Sequence, residues 1–340
     1  MITRRRFLGG SAAFGAALFA PLSLLASHSL RGGSSLTAPL LEALAGETLI
    51  TILHTNDTHS QIDPFPPDDR LYAGKGGVAR RATLVSRIRK DNPNTLLIDA
   101  GDALQGTPYF NFYKGEVEYK AMSQIGYDVG TLGNHEFDNG VEALAAAMRF
   151  ANFDFVSANY DVRGTALETR VKPYAVREIA GVRIGLFGLG ISPVALITPA
   201  NFKGVTYQDP VAASRGVVKI LKEKERCDLI VCMSHLGYYK EPKEGEIGDS
   251  QVAAQVDGID FIASGHTHTF MEKPVVQKQP SGKDTVIFQV GKSGINLGRV
   301  DFTLKAGRVT AWAGHLLDLR DESLGLSNTN FSFRCSEYRL

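Results

Sequence analysis

Short apolar, β-branched runs alternate with amphipathic stretches along most of this chain, and that alternation restricts the fold more than any other feature. The runs fall at 48–54, 95–99, 128–132, 154–158, 183–188, 229–234 and 260–264. Between several of them, helical periodicity covers 78–89, 140–150 and 210–225. Strands that alternate with helices predict an α/β architecture with largely buried sheets. The pattern changes at 285–290, 297–304 and 308–315, where runs follow one another across turn-sized gaps. Gly307 marks a hairpin turn. Late antiparallel strands of this kind fit two packed sheets with helices outside.

The ends read differently. Thr3-Arg4-Arg5-Arg6-Phe7-Leu8 precedes an Ala/Gly/Leu-rich stretch that runs to about Ala26. A basic start, a weakly hydrophobic core and small residues describe a signal peptide, expected over 1–30 and followed by a linker over 31–46. The paired arginines followed by Phe-Leu resemble a twin-arginine export signal, so the destination is periplasmic or extracellular. Pro21 and the many glycines argue against a retained anchor, which leaves no stable membrane span after signal removal. Residues 47–316 form the expected catalytic domain, long enough for one large core, and 317–340 read as a tail. With 37 Lys and Arg against 36 Asp and Glu, no basic surface offers itself to nucleic acid. Three cysteines make no disulfide framework: Cys227 and Cys232 read as core residues, and Cys335 as a free thiol in the tail.

The chemistry concentrates where the strands end. Asp57-Thr58-His59, Asp99-Ala100-Gly101-Asp102, Gly133-Asn134-His135-Glu136, Ser234-His235-Leu236-Gly237 and Gly265-His266-Thr267-His268 each follow an apolar run. In open α/β sheets, ligands bind at the carboxyl ends of strands, so the five clusters converge on one edge. Asp57 and His59 share an i, i+2 spacing with His266 and His268. Asp102 offers two carboxylate oxygens, Asn134 a neutral oxygen and His235 a further imidazole. Oxygen and nitrogen donors without thiolate suit two divalent ions such as Mn, Fe, Co or Zn. Each cluster alone has an ordinary explanation, as a turn, a cap or a satisfied core histidine. The five together, in this order, do not.

That order resembles the calcineurin-like metallophosphoesterases, and more narrowly their 5'-nucleotidase and UDP-sugar hydrolase branch. The likeness is carried by Leu53-His54-Thr55-Asn56-Asp57-Thr58-His59, Gly76-Gly77-Val78-Ala79-Arg80, the run from Asp99 to Thr107, and the run from Gly133 to Gly140. It extends from about 47 to about 316. The resemblance implies a four-layer α-β-β-α sandwich. It implies one ion held by Asp57, His59 and His268, another by Asn134, His235 and His266, and Asp102 shared between them. His135, oriented by Asp138, would then stabilise developing charge or protonate the leaving oxygen. Glu136 becomes structural, and His54 and His315 packing or surface residues. The reaction implied is in-line attack of an activated water on phosphorus, with no covalent enzyme intermediate.

Two departures from the branch bear on the substrate, a small-molecule phosphate ester. Full-length relatives carry a C-terminal domain that reads the nucleoside, and this chain stops at Leu340. The last ligand position is His268, where many nucleotidases have an amide. The chain is therefore expected to act alone on nucleotides, on other monoesters and diesters, including UDP-sugars and cyclic nucleotides, or with a separate polypeptide that supplies the nucleoside-binding domain. A thiosulfohydrolase and a non-catalytic metal-binding scaffold are the remaining alternatives. Tyr72, Tyr109, Phe110, Phe112 and Tyr113, on loops beside two clusters, are read first as packing and second as a surface for a base.

Overall fold

The computed structural model describes residues 46–239, 241 and 247–319. The expected signal peptide, almost all of the linker, Cys335 and the tail beyond Leu319 lie outside the described residues.

The chain opens with β1 (Thr48–Thr55), α1 (Val78–Asp91), β2 (Thr95–Asp99), α2 (Pro108–Tyr113), α3 (Glu116–Ile125), β3 (Val129–Gly130) and α4 (Val141–Ala147). It continues with β4 (Asp154–Val156), β5 (Tyr160–Asp161), β6 (Val171–Lys172), β7 (Tyr174–Ile179), β8 (Val182–Gly190), β9 (Thr206–Tyr207) and α5 (Pro210–Glu223). The last elements are β10 (Leu229–His235), α6 (Asp249–Gln255), β11 (Phe261–Ser264), β12 (Val275–Lys278), β13 (Asp284–Phe288), β14 (Asn296–Lys305) and β15 (Arg308–Asp318).

Two sheets result, in the orders β15-β14-β1-β2-β3-β4-β6 and β12-β13-β11-β10-β8-β7. Strands β1 to β4 are parallel neighbours, as are β8, β10, β11 and β13. The late strand β14 pairs antiparallel with β1, and β15 with β14. Across the hairpin, Ala306 and Gly307 both take positive φ (51° and 70°), as a tight two-residue turn requires.

Three apolar slabs separate four layers. Val85, Ile88, Met122 and Leu144 of the first helices meet Leu53 and Leu97. Ile50, Ile52 and Ile98 of the first sheet meet Leu186, Val231 and Phe261 of the second. Val217, Leu221 and Val252 of α5 and α6 cover Phe187, Ile230 and Ile262. The central parallel strands of each sheet are thus buried on both faces, which is why they read as continuous apolar runs and not as alternating ones. The expected α-β-β-α sandwich is the fold.

The differences from the sequence expectation are local. The third strand shrinks to Val129–Gly130 because the chain turns at once toward the site. The helix expected over 140–150 ends at Ala147 and tightens into a 3-10 turn at Met148–Phe150. Helices α2, α3 and α6 and the antiparallel strand β7 were not expected at all. The folded sheet runs to Asp318 and Leu319 is fully buried, past the expected domain end at 316.

His54 shows what the tight inter-sheet slab demands. It shares a strand face with Ile50 and Ile52, and its ring stands edge-on to Phe261 and Phe288 of the opposite sheet. Gly298 lies opposite it in register, and a Cβ there would come within 2.0 Å of the imidazole. Neither ring nitrogen has a hydrogen-bond partner, and burial pushes the imidazole pKa down to about 3 from 6.5. The unfolded chain therefore takes up this proton first as pH falls. Stability from the neutral ring is complete above 6.5 and is lost below it, by at most about 1.4 kcal/mol per pH unit. In urea unfolding between about pH 7.5 and 5, His54→Leu is expected to flatten this part of the slope. An unchanged slope would remove His54 from the account.

Candidate metal centre

All the expected ligands stand at one end of both sheets. Asp57 and His59 follow β1, Asp102 follows β2, and Asn134 and His135 follow β3. From the second sheet, His235 is the last residue of β10, and His266 and His268 follow β11. Backbone hydrogen bonds zip the first two loops together, Asp57 N to Gly101 O at 2.9 Å and His59 N to Asp102 O at 3.0 Å. The carboxylate of Asp57 then reaches the other sheet, accepting from His266 N at 3.1 and 3.0 Å.

The donor atoms crowd one another. His268 Nε2 lies 3.3 Å from Asp57 Oδ1 and 2.9 Å from His59 Nε2. His235 Nε2 lies 3.0 Å from Asp102 Oδ2 and 3.9 Å from Asp57 Oδ1. His266 Nδ1 lies 3.1 Å from Asn134 Oδ1. Two groups of possible ligands follow, Asp57-His59-His268 and Asp57-Asp102-His235, each with its atoms within 4.8 Å of one another. All seven expected ligands are brought together.

Holding them there strains the backbone. Asp57, His59, Asp102, His266 and His268 all take left-handed φ, between 47° and 70°. Non-glycine residues adopt this region rarely, and such outliers cluster at functional sites. Gly133 serves the same end by its size. A Cβ there would fall 2.1 Å from Asp102 Oδ1 and 2.7 Å from His235 Nε2.

The electrostatics divide the histidines into neutral rings and one paired with a carboxylate. Burial lowers the pKa of His59, and burial together with His235 brings His266 down to about 4, so both rings are neutral at neutral pH. Burial also opposes charge on Asp102 and His235, but each partner outweighs it. Asp102 is held below the carboxylate range and His235 above the imidazole range. His235 Nδ1 bonds to Ala100 O at 2.8 Å, which fixes the ring and turns Nε2 to the cluster.

His135 sits apart from this crowd. Its Nδ1 is 2.9 Å from Asp138 Oδ2, its backbone N–H donates to Asp102 Oδ1 at 2.8 Å, and its ring centroid is 5.4 Å from that of His59. The Asp138 hydrogen bond raises its pKa. Asp138 is exposed, so the pair opens toward solvent.

Three further residues hold the loops. Glu136 is buried and accepts from the backbone N–H groups of Asp102, Ala103, Leu104 and Gly133. Burial and the charge of Asp102 push it up to about 7, while these N–H groups favour the ionised form. Asn56 donates to Asp57 Oδ2 at 2.6 Å and accepts from Val290 N at 3.1 Å. Gln289 donates to Ser264 Oγ and Gly265 O and accepts from Thr269 N, bracing the loop that carries His266 and His268. Gln289 drew no attention in the sequence, and an isolated buried amide offers no local signal. Of the flanking aromatics, Phe110 is core, Tyr109 bonds to Asp63, and Tyr72 stacks on Phe270 at 6.5 Å. Phe112 is exposed.

The donor set fits a pair of divalent cations. His59 Nδ1 is buried without a hydrogen-bond partner, and His235 Nε2 faces the carboxylates of Asp102 and Asp57 at 3.0 and 3.9 Å. Imidazole nitrogens and carboxylates that face one another this closely are arranged for a shared cation, which would relieve their mutual repulsion.

The calcineurin-like phosphoesterase family profile matches residues 50–270. The chain belongs to that family. It is 32% identical over 303 residues to the 5'-nucleotidase of Vibrio cholerae, covering 83% of this chain and 54% of that one. The 5'-nucleotidase precursor of Thermus thermophilus superposes with a TM-score of 0.72 at 34% identity, over 80% of this chain and 54% of that one. The calcineurin-like phosphoesterase YfkN of Bacillus subtilis gives 0.68 at 27% identity, over 82% and 92%. The chain spans about half the length of these nucleotidases and nearly all of the YfkN structure. Within that family it is most plainly similar to 5'-nucleotidases over their first half.

The tight approach at Gly133 yields a test. Gly133→Ala is expected to push Asp102 away from His235 and to bind fewer than two divalent ions per chain by elemental analysis, with circular dichroism unchanged. Two ions bound in a folded Gly133→Ala protein would show that the spacing does not matter.

Proposed function

We propose that the chain is an exported enzyme that hydrolyses phosphate monoesters of nucleotides or related small molecules. The observation that carries this reading is the convergence of Asp57, His59, Asp102, Asn134, His235, His266 and His268 from two sheets, with the His135–Asp138 pair beside them. The relatives named as 5'-nucleotidases support the nucleotide. The twin-arginine-type start of the sequence supports export. Among the described residues, no helix is long and apolar enough to cross a membrane.

In this reading Asp57, His59 and His268 hold one ion, Asn134, His235 and His266 the other, and Asp102 serves both. Two divalent cations so held would clamp the phosphoryl oxygens and lower the pKa of a water toward neutrality. The donor types admit Mn, Zn, Fe or Co. The chain's own residues do the rest. Asp138 accepts the Nδ1 proton of His135 and favours the protonated ring, whose Nε2–H can donate to the leaving oxygen. Glu136 keeps the Asp102 and Gly133 loops in register and touches no substrate. The exposed apolar residues Val194 and Leu196 favour a second reading, in which a separate nucleoside-binding polypeptide covers the site.

The metal-loaded mature chain is expected to hydrolyse AMP and to lose activity on chelation. His135→Ala should lower kcat by about 10²–10⁴-fold, the span of general acid catalysis, with metal content intact. Loss of metal together with activity would give His135 a ligand's role instead.

A further inference from the structure

The loop that follows β8 carries large aliphatic side chains into solvent beside the metal centre. Val194 is 79% exposed and Leu196 48%. Aliphatic side chains of this size, set together in one exposed loop, mark a surface that something covers. Ala195 between them takes a left-handed φ of 63°, so the loop is shaped and not extended.

These two residues line a groove of about 660 Å³ together with Ile191, Tyr207 and Ile247, and the groove runs to His266. That volume lies within the range of about 300–1,000 Å³ typical of small-molecule sites. Its walls are mixed, with aliphatic side chains, the rings of Tyr207 and Tyr239, and polar groups at Ser192 and Asp209. Asp209 is already engaged as the cap of α5, accepting from Ala212 N at 2.7 Å. Continuity with His266 is what decides the occupant. His266 belongs both to this groove and to the ligand cluster through Asn134. A molecule anchored by its phosphate at the cluster therefore extends its organic part directly into this mixed groove.

The geometry points to this groove as the site that receives the planar group with polar edges carried by the phosphate ester, as in the base of a nucleotide. The inference rests on the phosphoesterase reading for its anchor, but nucleoside binding can be measured without turnover. Discrimination between esters would then be set within the catalytic domain itself, by Val194, Leu196 and Tyr207, through burial of apolar surface and contact with an aromatic ring.

The test uses the full mature chain loaded with Mn²⁺, with adenosine as the probe in calorimetric titration and AMP and glycerol phosphate as competing substrates. The wild-type protein is expected to bind adenosine, and Leu196→Asp to bind it at least tenfold more weakly. The ratio of kcat/KM for AMP to that for glycerol phosphate should fall at least tenfold in the same variant. Unchanged adenosine affinity and an unchanged ratio in both Leu196→Asp and Val194→Asp would overturn the assignment. No adenosine binding by the wild-type protein would also overturn it, and would leave the apolar loop to a protein partner. If neither ester is hydrolysed while Leu196→Asp still weakens adenosine binding, the groove stands and the phosphoesterase reading falls.

Discussion

The carboxylate of Asp57 ties the two sheets together at the end where their strands stop. It belongs to the first sheet, accepts the backbone N–H of His266 from the second, and lies within 3.9 Å of the rings of His59, His235 and His268. Its own orientation is fixed by Asn56, which is held in turn by the backbone at Val290 and Gly291. Everything the site does depends on the sheets meeting here at a set distance. The inter-sheet slab below sets that distance, through side chains such as Ile52, Val231 and Phe261 that leave no room to slide. His54 opposite Gly298 belongs to the same constraint, because only a glycine leaves space for the ring.

Much of this was legible in the sequence. The ligand clusters stand out because each is a polar break at the end of a strand buried on both faces. Leu229–His235, for example, is a fully buried run that ends in histidine. The i, i+2 spacing of Asp57 with His59, and of His266 with His268, survives into the structure as two left-handed loops. What could not be read is the bracing. Glu136 serves N–H groups as far as 34 residues away, and Asn56 and Gln289 find partners up to 235 residues away. Nothing in a window of sequence distinguishes such a residue from a solvated one. Strand β7 was missed for a related reason. It is an antiparallel edge strand with partly exposed faces, and it lacks the continuous apolar signal of its neighbours.

The buried acids behind the site divide the work. Asp99 accepts from Thr55 and Gly101, and burial pushes it up to about 7. Arg81 and Tyr127 complete that network from α1 and the start of β3, with Arg81 Nη1 donating to Tyr127 at 3.0 Å. Each such group is costly to bury unless its partners are in place, so the network specifies one arrangement of the loops. The ligands in front of it are the opposite case. His59 and His268 face each other across 2.9 Å, and buried nitrogens are left without partners. A cation held between such nitrogens and the Asp57 and Asp102 carboxylates would supply the partner that the protein does not.

Strain of this kind also accounts for the local design of the loops. Asp57, His59, Asp102, His266 and His268, all in left-handed conformations, each cost on the order of 1–3 kcal/mol in isolation. They persist only because hydrogen bonds from the neighbouring loops over-determine them: Asp57 to Gly101, His59 to Asp102, and Thr269 to Gln289. The chain by itself therefore carries a preorganised and destabilised edge on a well-packed body. Two cations bound at this edge would offset that cost in the folded state alone, because the unfolded chain has no such cluster to offer. The sandwich below must therefore be tight enough to hold this strained edge in place by itself.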